Sequence, residues 1–166
     1  TDIWMLIASG LSLKDLLVMR TTSTLKKIIA EKTLINDLNA GKMTPSDMRI
    51  STIKSLVDFF GETCSQITKL DLQNFHRVTD SDIEIISEHF TKLNCLLLNN
   101  GKITNNVAIH LTKMTLLTSL DLSMCSDIND FSFLQHCKGL ISVDLRGCRQ
   151  IDDMSAQLLH NIEFII

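Results

Sequence analysis

The stretch LTSLDLSMCSDIND, residues 117–130, has the same pattern as LISVDLRGCRQIDD at residues 140–153. Related patterns begin upstream at Ile67 (ITKLDLQNFHRVTD) and at Leu93 (LNCLLLNNGKITN). These four units begin 23 to 26 residues apart, and Ile162 begins a fifth, 22 residues after the fourth. Similarity at a short, nearly fixed period indicates a chain made of stacked copies of one small supersecondary unit.

Each unit contains two apolar residues separated by one polar or exposed position. The pairs are Leu70/Leu72, Leu96/Leu98, Leu120/Leu122 and Val143/Leu145. Alternation of this kind predicts a short strand with one buried face, here near residues 68–72, 94–98, 118–122 and 141–145. A turn and one more apolar residue follow each strand: Val78, Ile103, Ile128 and Ile151.

A helical return then leads to the next unit. In SDIEIISEHF, for example, Ile83, Ile86 and Phe90 have helical spacing and predict one buried face. No single unit can cover its own apolar face, so stacking must stabilise the segment. The unit length falls in the range of leucine-rich repeats, roughly 20–29 residues. The predicted fold is therefore α/β, with leucine-rich repeats over residues 67–166 (four, plus the start of a fifth) forming a right-handed solenoid, or horseshoe, with a parallel sheet.

The period is absent upstream, where short helices are predicted. TDIWMLIASG reads as a first helix, and Ser12 with Asp15 has the spacing of an N-terminal capping box for a second helix, LKDLLVMR. A third, TLKKIIAEK, follows, with Leu25, Ile28 and Ile29 predicted to face inward. These helices form a predicted helical domain over residues 1–40.

Residues 41–66 are predicted to connect the two regions as a linking helix and degenerate first repeat. Thr44 is the expected cap, and Pro45 fits the first helical position. Ile53, Leu56, Val57 and Phe60 are expected to line one face of this helix. Because the composition is not that of a flexible linker, the helical domain should be held rigidly against the repeats.

The segment LIASGLSLKDLLVMRTTSTLKKII, residues 6–29, resembles an F-box, and EKTLINDL, residues 31–38, resembles the short tail that follows it. An F-box followed by leucine-rich repeats is the arrangement of F-box/leucine-rich-repeat substrate receptors. The resemblance implies that the helices bind a Skp-type adaptor, and through it the cullin of a ubiquitin ligase, while the repeats bind a protein substrate. The implied adaptor-binding residues are Ile3, Trp4, Ile7, Leu11, Leu13, Leu16 and Leu17.

The compact organisation also resembles small F-box effectors that intracellular bacterial pathogens deliver to host ubiquitin ligases. Either origin implies a cytoplasmic location, which for an effector is the host cytoplasm. Two other interpretations remain open on the residues alone. The helices can be a simple cap on a non-ligase repeat scaffold, since solenoids need capped ends. An enzyme with an unrecognised site is the third interpretation.

The substrate-binding surface is predicted on the concave face, because residues flanking the buried pair of a strand point away from the core. The predicted set is Asp71, Gln73, Leu97, Asn99, Asp121, Ser123, Asp144 and Arg146. One interpretation is that these are ordinary solvent-facing polar positions. The other is a binding column, in which a substrate that is basic at the contact relieves the repulsion between three neighbouring carboxylates. Leu97 is then an exposed apolar anchor.

Composition and motifs predict no catalytic residue, metal site or cofactor. The formal net charge of −3 gives no reason to expect nucleic acid or membrane as a partner. The five histidines are scattered, the six glycines form no phosphate-binding loop, and no Cys/His cluster has ligand spacing. The five cysteines include no CxxC pair, and Cys125 and Cys148 recur at one turn position, so reduced packing thiols are expected.

Overall fold

The computed structural model describes residues 10–20, 24–75, 77–148 and 164–165. At residues 25, 26, 164 and 165 it describes the backbone alone. In these residues the chain has mixed α/β structure, with five α-helices and a parallel sheet. The predicted α/β class and parallel sheet are therefore confirmed. Residues 1–9 of the first predicted helix lie outside the described residues, as do Ile151 and Ile162.

The first described helix, α1 (Leu13–Arg20), begins at the predicted capping box. The Ser12 side chain accepts a hydrogen bond from the Asp15 N–H, at 3.3 Å. In return the Asp15 carboxylate accepts from the Ser12 N–H (3.3 Å) and hydroxyl (2.6 Å). The cap satisfies N–H groups that have no partner inside the helix.

Helix α2 (Thr24–Asn39) is longer than the predicted third helix, because the tail-like segment continues it. Ala30, Leu34 and Leu38 lie four residues apart and are buried, so the extension has a continuous inner face. Ile29 is buried as predicted, but the prediction for Ile28 is wrong: it lies off this stripe and is 45 % exposed. The side chain of Leu25 lies outside the described residues.

The predicted linking helix begins later than expected. Thr44 does donate to Asp47 through its N–H (2.7 Å) and hydroxyl (2.9 Å), but residues 45–49 form only a turn. Arg49 has a φ of 59°, a left-handed conformation that cannot continue a helix. Thr52 instead caps α3 (Ile53–Phe60), whose buried residues are Ile53, Leu56 and Phe60, with Val57 half-buried.

Arg20 joins the three helices. Its Nε donates to Glu31 Oε1 of α2 at 2.9 Å, and its Nη2 donates to the Phe59 carbonyl of α3. The guanidinium also lies 3.9 Å from the centroid of the Phe59 ring, a cation–π contact. Since Glu31 is only 8 % exposed, its charge is held by a partner rather than by water.

The sheet is parallel and in sequential order. Its strands are β1 (Lys69–Asp71), β2 (Cys95–Leu97), β3 (Ser119–Asp121), β4 (Ser142–Asp144) and β5 (Phe164–Ile165). Each strand pairs with the next strand in the chain, without crossover. The pairing aligns Leu70 with Leu96, Leu96 with Leu120, and Leu120 with Val143. All four predicted strand positions are thus confirmed, each shorter than expected.

The core is repeated from unit to unit. All eight residues of the predicted strand pairs are no more than 1 % exposed, and Val78, Ile103 and Ile128 are buried beside them. The returning segments are α4 (Asp80–His89), a 3-10 turn at Asn105–Val107 with α5 (Ala108–Leu111), and a 3-10 helix at Ser132–His136. Ile83, Ile86 and Phe90 of the first return are buried as predicted.

Asn39 closes the edge of the sheet that would otherwise be open at β1. In later units a main-chain carbonyl accepts two N–H groups of the following unit: Thr118 and Ser119 both donate to the Asn94 carbonyl, at 2.8 and 3.0 Å. In the part of the chain that the structure describes, no strand precedes β1. Instead Asn39 Oδ1 accepts from the N–H groups of Thr68 (2.7 Å) and Lys69 (3.3 Å).

The amide nitrogen of the same side chain completes this arrangement. Asn39 Nδ2 donates to the Gln66 carbonyl at 3.1 Å. One side chain at the end of α2 therefore replaces the carbonyl of a missing unit and ties the helical region to the repeats. An edge strand with unpaired N–H groups is prone to pair with other chains, so covering it also protects the fold.

Replacing Asn39 with alanine should lower the free energy of unfolding by about 1–3 kcal/mol, because two main-chain N–H groups lose their acceptor. Asn39→Asp should cost less, since an acceptor oxygen remains and only the bond to Gln66 is lost. Asn36→Ala, at an exposed position of the same helix, is the matched control. Urea unfolding of the three variants measures this, and equal losses for Asn39→Ala and Asn36→Ala would contradict the assignment.

Candidate protein-binding surfaces

The first candidate surface lies along helix α1. Leu13, Leu17 and Val18 line a cavity of about 620 Å³, together with Ser12 and Lys14. Asp47 and Arg49, from the turn before α3, form its polar wall. We call this the α1 pocket. An apolar floor with a charged rim is the form of site that binds a side chain or helix of a partner protein.

The predicted adaptor-binding residues do not all reach this pocket. Leu13 and Leu17 line it and are half-buried, packed against the edge of the core. Leu16 is only 2 % exposed and points inward, so it supports the helix rather than presenting a surface. Leu11 is half-buried and lines a smaller neighbouring cavity of about 320 Å³. Ile3, Trp4 and Ile7 lie outside the described residues.

Five residues of the α1 pocket are absent from the predicted adaptor-binding set: Ser12, Lys14, Val18, Asp47 and Arg49. Val18 is 57 % exposed, and its spacing of four from Lys14 was the available signal for a shared helix face. The sequence pattern predicts a helix at Asp47 and Arg49. They reach the pocket only because the chain turns at Arg49, which the sequence pattern did not indicate.

The second candidate surface is the face of the sheet opposite the buried leucines. The strand register aligns Asp71 with Leu97, Leu97 with Asp121, and Asp121 with Asp144, as the predicted column requires. A second column, outside the predicted set, precedes it by two residues: Lys69, Cys95, Ser119 and Ser142. The alternation of strand side chains was the signal that could have found it.

Hydrogen bonds cross this face from unit to unit. Gln73 Nε2 donates to Asp121 Oδ2 at 3.0 Å, spanning the unit that carries Leu97. The Ser123 N–H donates to the other oxygen of Asp121, at 2.8 Å. Asn99 Nδ2 donates to the Ser123 hydroxyl, at 2.7 Å. Asp121 is consequently 8 % exposed and Ser123 3 %, so both are structural members of the face.

Asp144 is neutralised within its own unit. Arg146 Nε donates to both carboxylate oxygens of Asp144, at 3.0 Å each. Its Nη2 donates to Asp144 Oδ2, at 2.5 Å. These hydrogen bonds hold the pKa of the Asp144 carboxyl below its usual range and raise the pKa of Arg146. The predicted acidic column therefore already has internal partners at Asp121 and Asp144. Leu97, expected to be exposed, is half-buried.

The turns at the end of the strands share one backbone conformation. Asn100, Met124 and Gly147 stand two residues after the second buried leucine of their units, with φ values of 61°, 62° and 72°. This left-handed conformation is costly for most side chains but accessible to asparagine and glycine. Three consecutive units thus have equivalent turns at the C-terminal ends of their strands.

The cysteines behave as packing residues. All five are free, and Cys64 and Cys125 are buried. Burial raises the pKa of the Cys125 thiol to about 12, and those of Cys64 and Cys137 to about 11. A thiol with such a pKa is protonated at neutral pH and is a poor nucleophile.

The described residues contain neither a metal-binding group nor a membrane-spanning helix. Across the described ranges 10–20, 24–75 and 77–148, no three His, Cys, Asp or Glu side chains form a group that could hold a metal ion. None of the helices in that part of the chain combines the length and apolar character needed to cross a bilayer. Comparison with protein-family models and with curated proteins gives no match to this sequence.

Proposed function

We propose that this chain is the substrate-recognition subunit of an SCF-type ubiquitin ligase. In this proposal the helical region binds a Skp-type adaptor, and through it a cullin, in the cytoplasm. The residues from Ile67 onward are leucine-rich repeats that form a solenoid and hold a protein substrate. The proposed role is that of a non-enzymatic receptor, either a eukaryotic protein or a bacterial effector that acts on a host ligase.

The α1 pocket is the observation that carries the proposal. Leu16 fixes α1 to the core from one side, and Leu13, Leu17 and Val18 remain accessible on the other. Apolar side chains therefore stand on both sides of α1, and the outer ones give a partner protein apolar anchors next to charged groups at Asp47 and Arg49. The F-box resemblance of residues 6–29 selects a Skp-type adaptor as that partner.

The repeats support the receptor part of the proposal. Their units have equal core positions, in-register parallel strands and one polar face crossed by hydrogen bonds. Six of the eight predicted residues are half-buried or exposed on that face and remain candidates for substrate contact: Asp71, Gln73, Leu97, Asn99, Asp144 and Arg146. Asp121 and Ser123, being buried, would shape this surface rather than bind directly.

A second function is favoured by one specific observation. Asn39 occupies the place of a preceding unit at the edge of β1, which is what a capping domain does. On this alternative the helices only seal a non-ligase scaffold, and the α1 pocket has no adaptor to bind.

Recovery of a cullin separates the two functions. A tagged chain, expressed in eukaryotic cells, should retain both a Skp-type adaptor and a cullin on the affinity resin. Loss of the cullin after depletion of the adaptor would show that the adaptor bridges them. Recovery of the intact, folded chain with neither protein would favour the scaffold.

A further inference from the structure

The turns that lead from each helical return into the next strand lie side by side at the N-terminal ends of the strands. Four consecutive turns contain the same main-chain hydrogen bond: Ile67 to the Cys64 carbonyl, Leu93 to Phe90, Leu117 to Met114 and Leu140 to Cys137, at 2.9–3.0 Å. Neighbouring turns are also bonded to each other, with the Thr118 N–H donating to Asn94 and the Ile141 N–H to Thr118, both at 2.8 Å. Their outward side chains therefore follow one line across the units.

Basic and aliphatic side chains occupy the last three of these turns, whereas the first, residues 62–68, carries Glu62 and no lysine. Over residues 88–94, 112–118 and 135–141 the sequence has three lysines and two histidines but one carboxylate, Glu88. Leu116 and Ile141 stand in the same turns and are 54 % and 46 % exposed. We call the following exposed residues the basic edge: His89, Lys92, Lys113, Leu116, His136, Lys138 and Ile141.

The lysines of the basic edge are not used inside the described part of the chain. The ion pairs found there are Arg20–Glu31, Lys42–Asp37 and Arg146–Asp144, so Lys92, Lys113 and Lys138 are left to solvent. Cations also stabilise the C-terminal end of a helix, but α4 ends at His89 and Lys92 lies three residues beyond it. That effect falls off within one turn and accounts for neither Lys138 nor the exposed aliphatic side chains.

We propose that the basic edge is a docking surface for an anionic lipid membrane. Lysines interleaved with exposed aliphatic residues match the boundary of such a membrane, where ammonium groups meet lipid phosphates and carboxylates while short apolar side chains enter the headgroup layer. The net charge of the chain is −3, so attraction depends on this local segregation rather than on the whole molecule. The proposal is independent of the ligase function.

Each lysine near an anionic surface strengthens binding roughly fivefold, so three lysines together contribute about 100-fold. The attraction should decline as salt shortens the screening length. Leu116 and Ile141 should add a contribution that salt does not remove. The affinity of the basic edge for the membrane should therefore have a salt-sensitive part from its lysines and a salt-resistant part from its aliphatic residues.

Vesicle sedimentation of the full chain tests the proposal. Vesicles of phosphatidylcholine with about 30 % phosphatidylserine should bind the chain, more strongly at ~50 mM than at ~300 mM salt, and pure phosphatidylcholine vesicles should not. Lys92→Glu, Lys113→Glu and Lys138→Glu together should reduce the partition coefficient at least ~50-fold. Leu116→Ser with Ile141→Ser should weaken binding at both salt concentrations.

The matched control changes three exposed lysines elsewhere: Lys27→Glu, Lys32→Glu and Lys54→Glu. It carries the same net charge as the edge variant and should keep most of the binding. Equal loss in both triple variants would overturn the proposal, because net charge alone would then govern binding. Absence of binding to anionic vesicles would also overturn the proposal. That holds even if the basic edge binds an acidic protein.

Discussion

Leu120→Ala should lower the free energy of unfolding by about 2–5 kcal/mol. Leu120 is 1 % exposed and lies in the central strand β3, aligned with Leu96 on one side and Val143 on the other. Because both neighbouring positions are filled and fixed by main-chain pairing, the cavity cannot collapse easily. The loss should therefore fall in the upper part of that range, and urea unfolding monitored by circular dichroism measures it.

Leu116→Ala is the matched control for this prediction. Leu116 is four residues away, in the turn that leads into the same strand, but is 54 % exposed. Its truncation removes little buried area, so the change should stay below about 0.5 kcal/mol. Similar losses at the two leucines would mean that the stacked leucine core is not what stabilises the repeats.

Leu13→Glu combined with Leu17→Glu should weaken adaptor binding at least ~100-fold, if the proposed function is correct. Both leucines line the α1 pocket, and a carboxylate placed in an apolar interface loses its hydration without gaining a partner. The chain should remain folded, because each side chain is only half-buried and can turn its charge toward solvent. Binding is measured by calorimetry with a purified Skp-type adaptor.

Leu16→Glu separates loss of a surface from loss of the fold. Leu16 is 2 % exposed, so a charge there should melt the helical region and lower its helical circular dichroism signal. The double variant at Leu13 and Leu17 should keep that signal. Undiminished adaptor binding by a folded double variant would reject the α1 pocket as the binding surface.

The strands and the repeated core could be predicted because alternation and period are local signals. A pair such as Leu120 and Leu122 defines its own buried face, and the same pattern in the next unit defines its neighbour. The capping box of α1 is equally local, since Ser12 and Asp15 are three residues apart. Such features depend on few contacts between distant residues.

Contacts between distant segments could not be read in this way. The α1 pocket needs Arg49 in a left-handed conformation beside Leu13, although the sequence around Thr44 and Pro45 favours a helix start. Asn39 becomes a substitute carbonyl only because α2 continues to that residue. The burial of Asp121 likewise depends on the reach of Gln73 across one whole unit.

The most direct measurement is size-exclusion chromatography with light scattering of the purified chain mixed with a purified Skp-type adaptor, each at about 10 µM. The proposed function predicts one peak with the summed mass of the two proteins, and separate peaks when the Leu13→Glu, Leu17→Glu variant replaces the wild type. Separate peaks for a folded wild-type chain would contradict the proposal and leave the capped scaffold as the better account of the helical region.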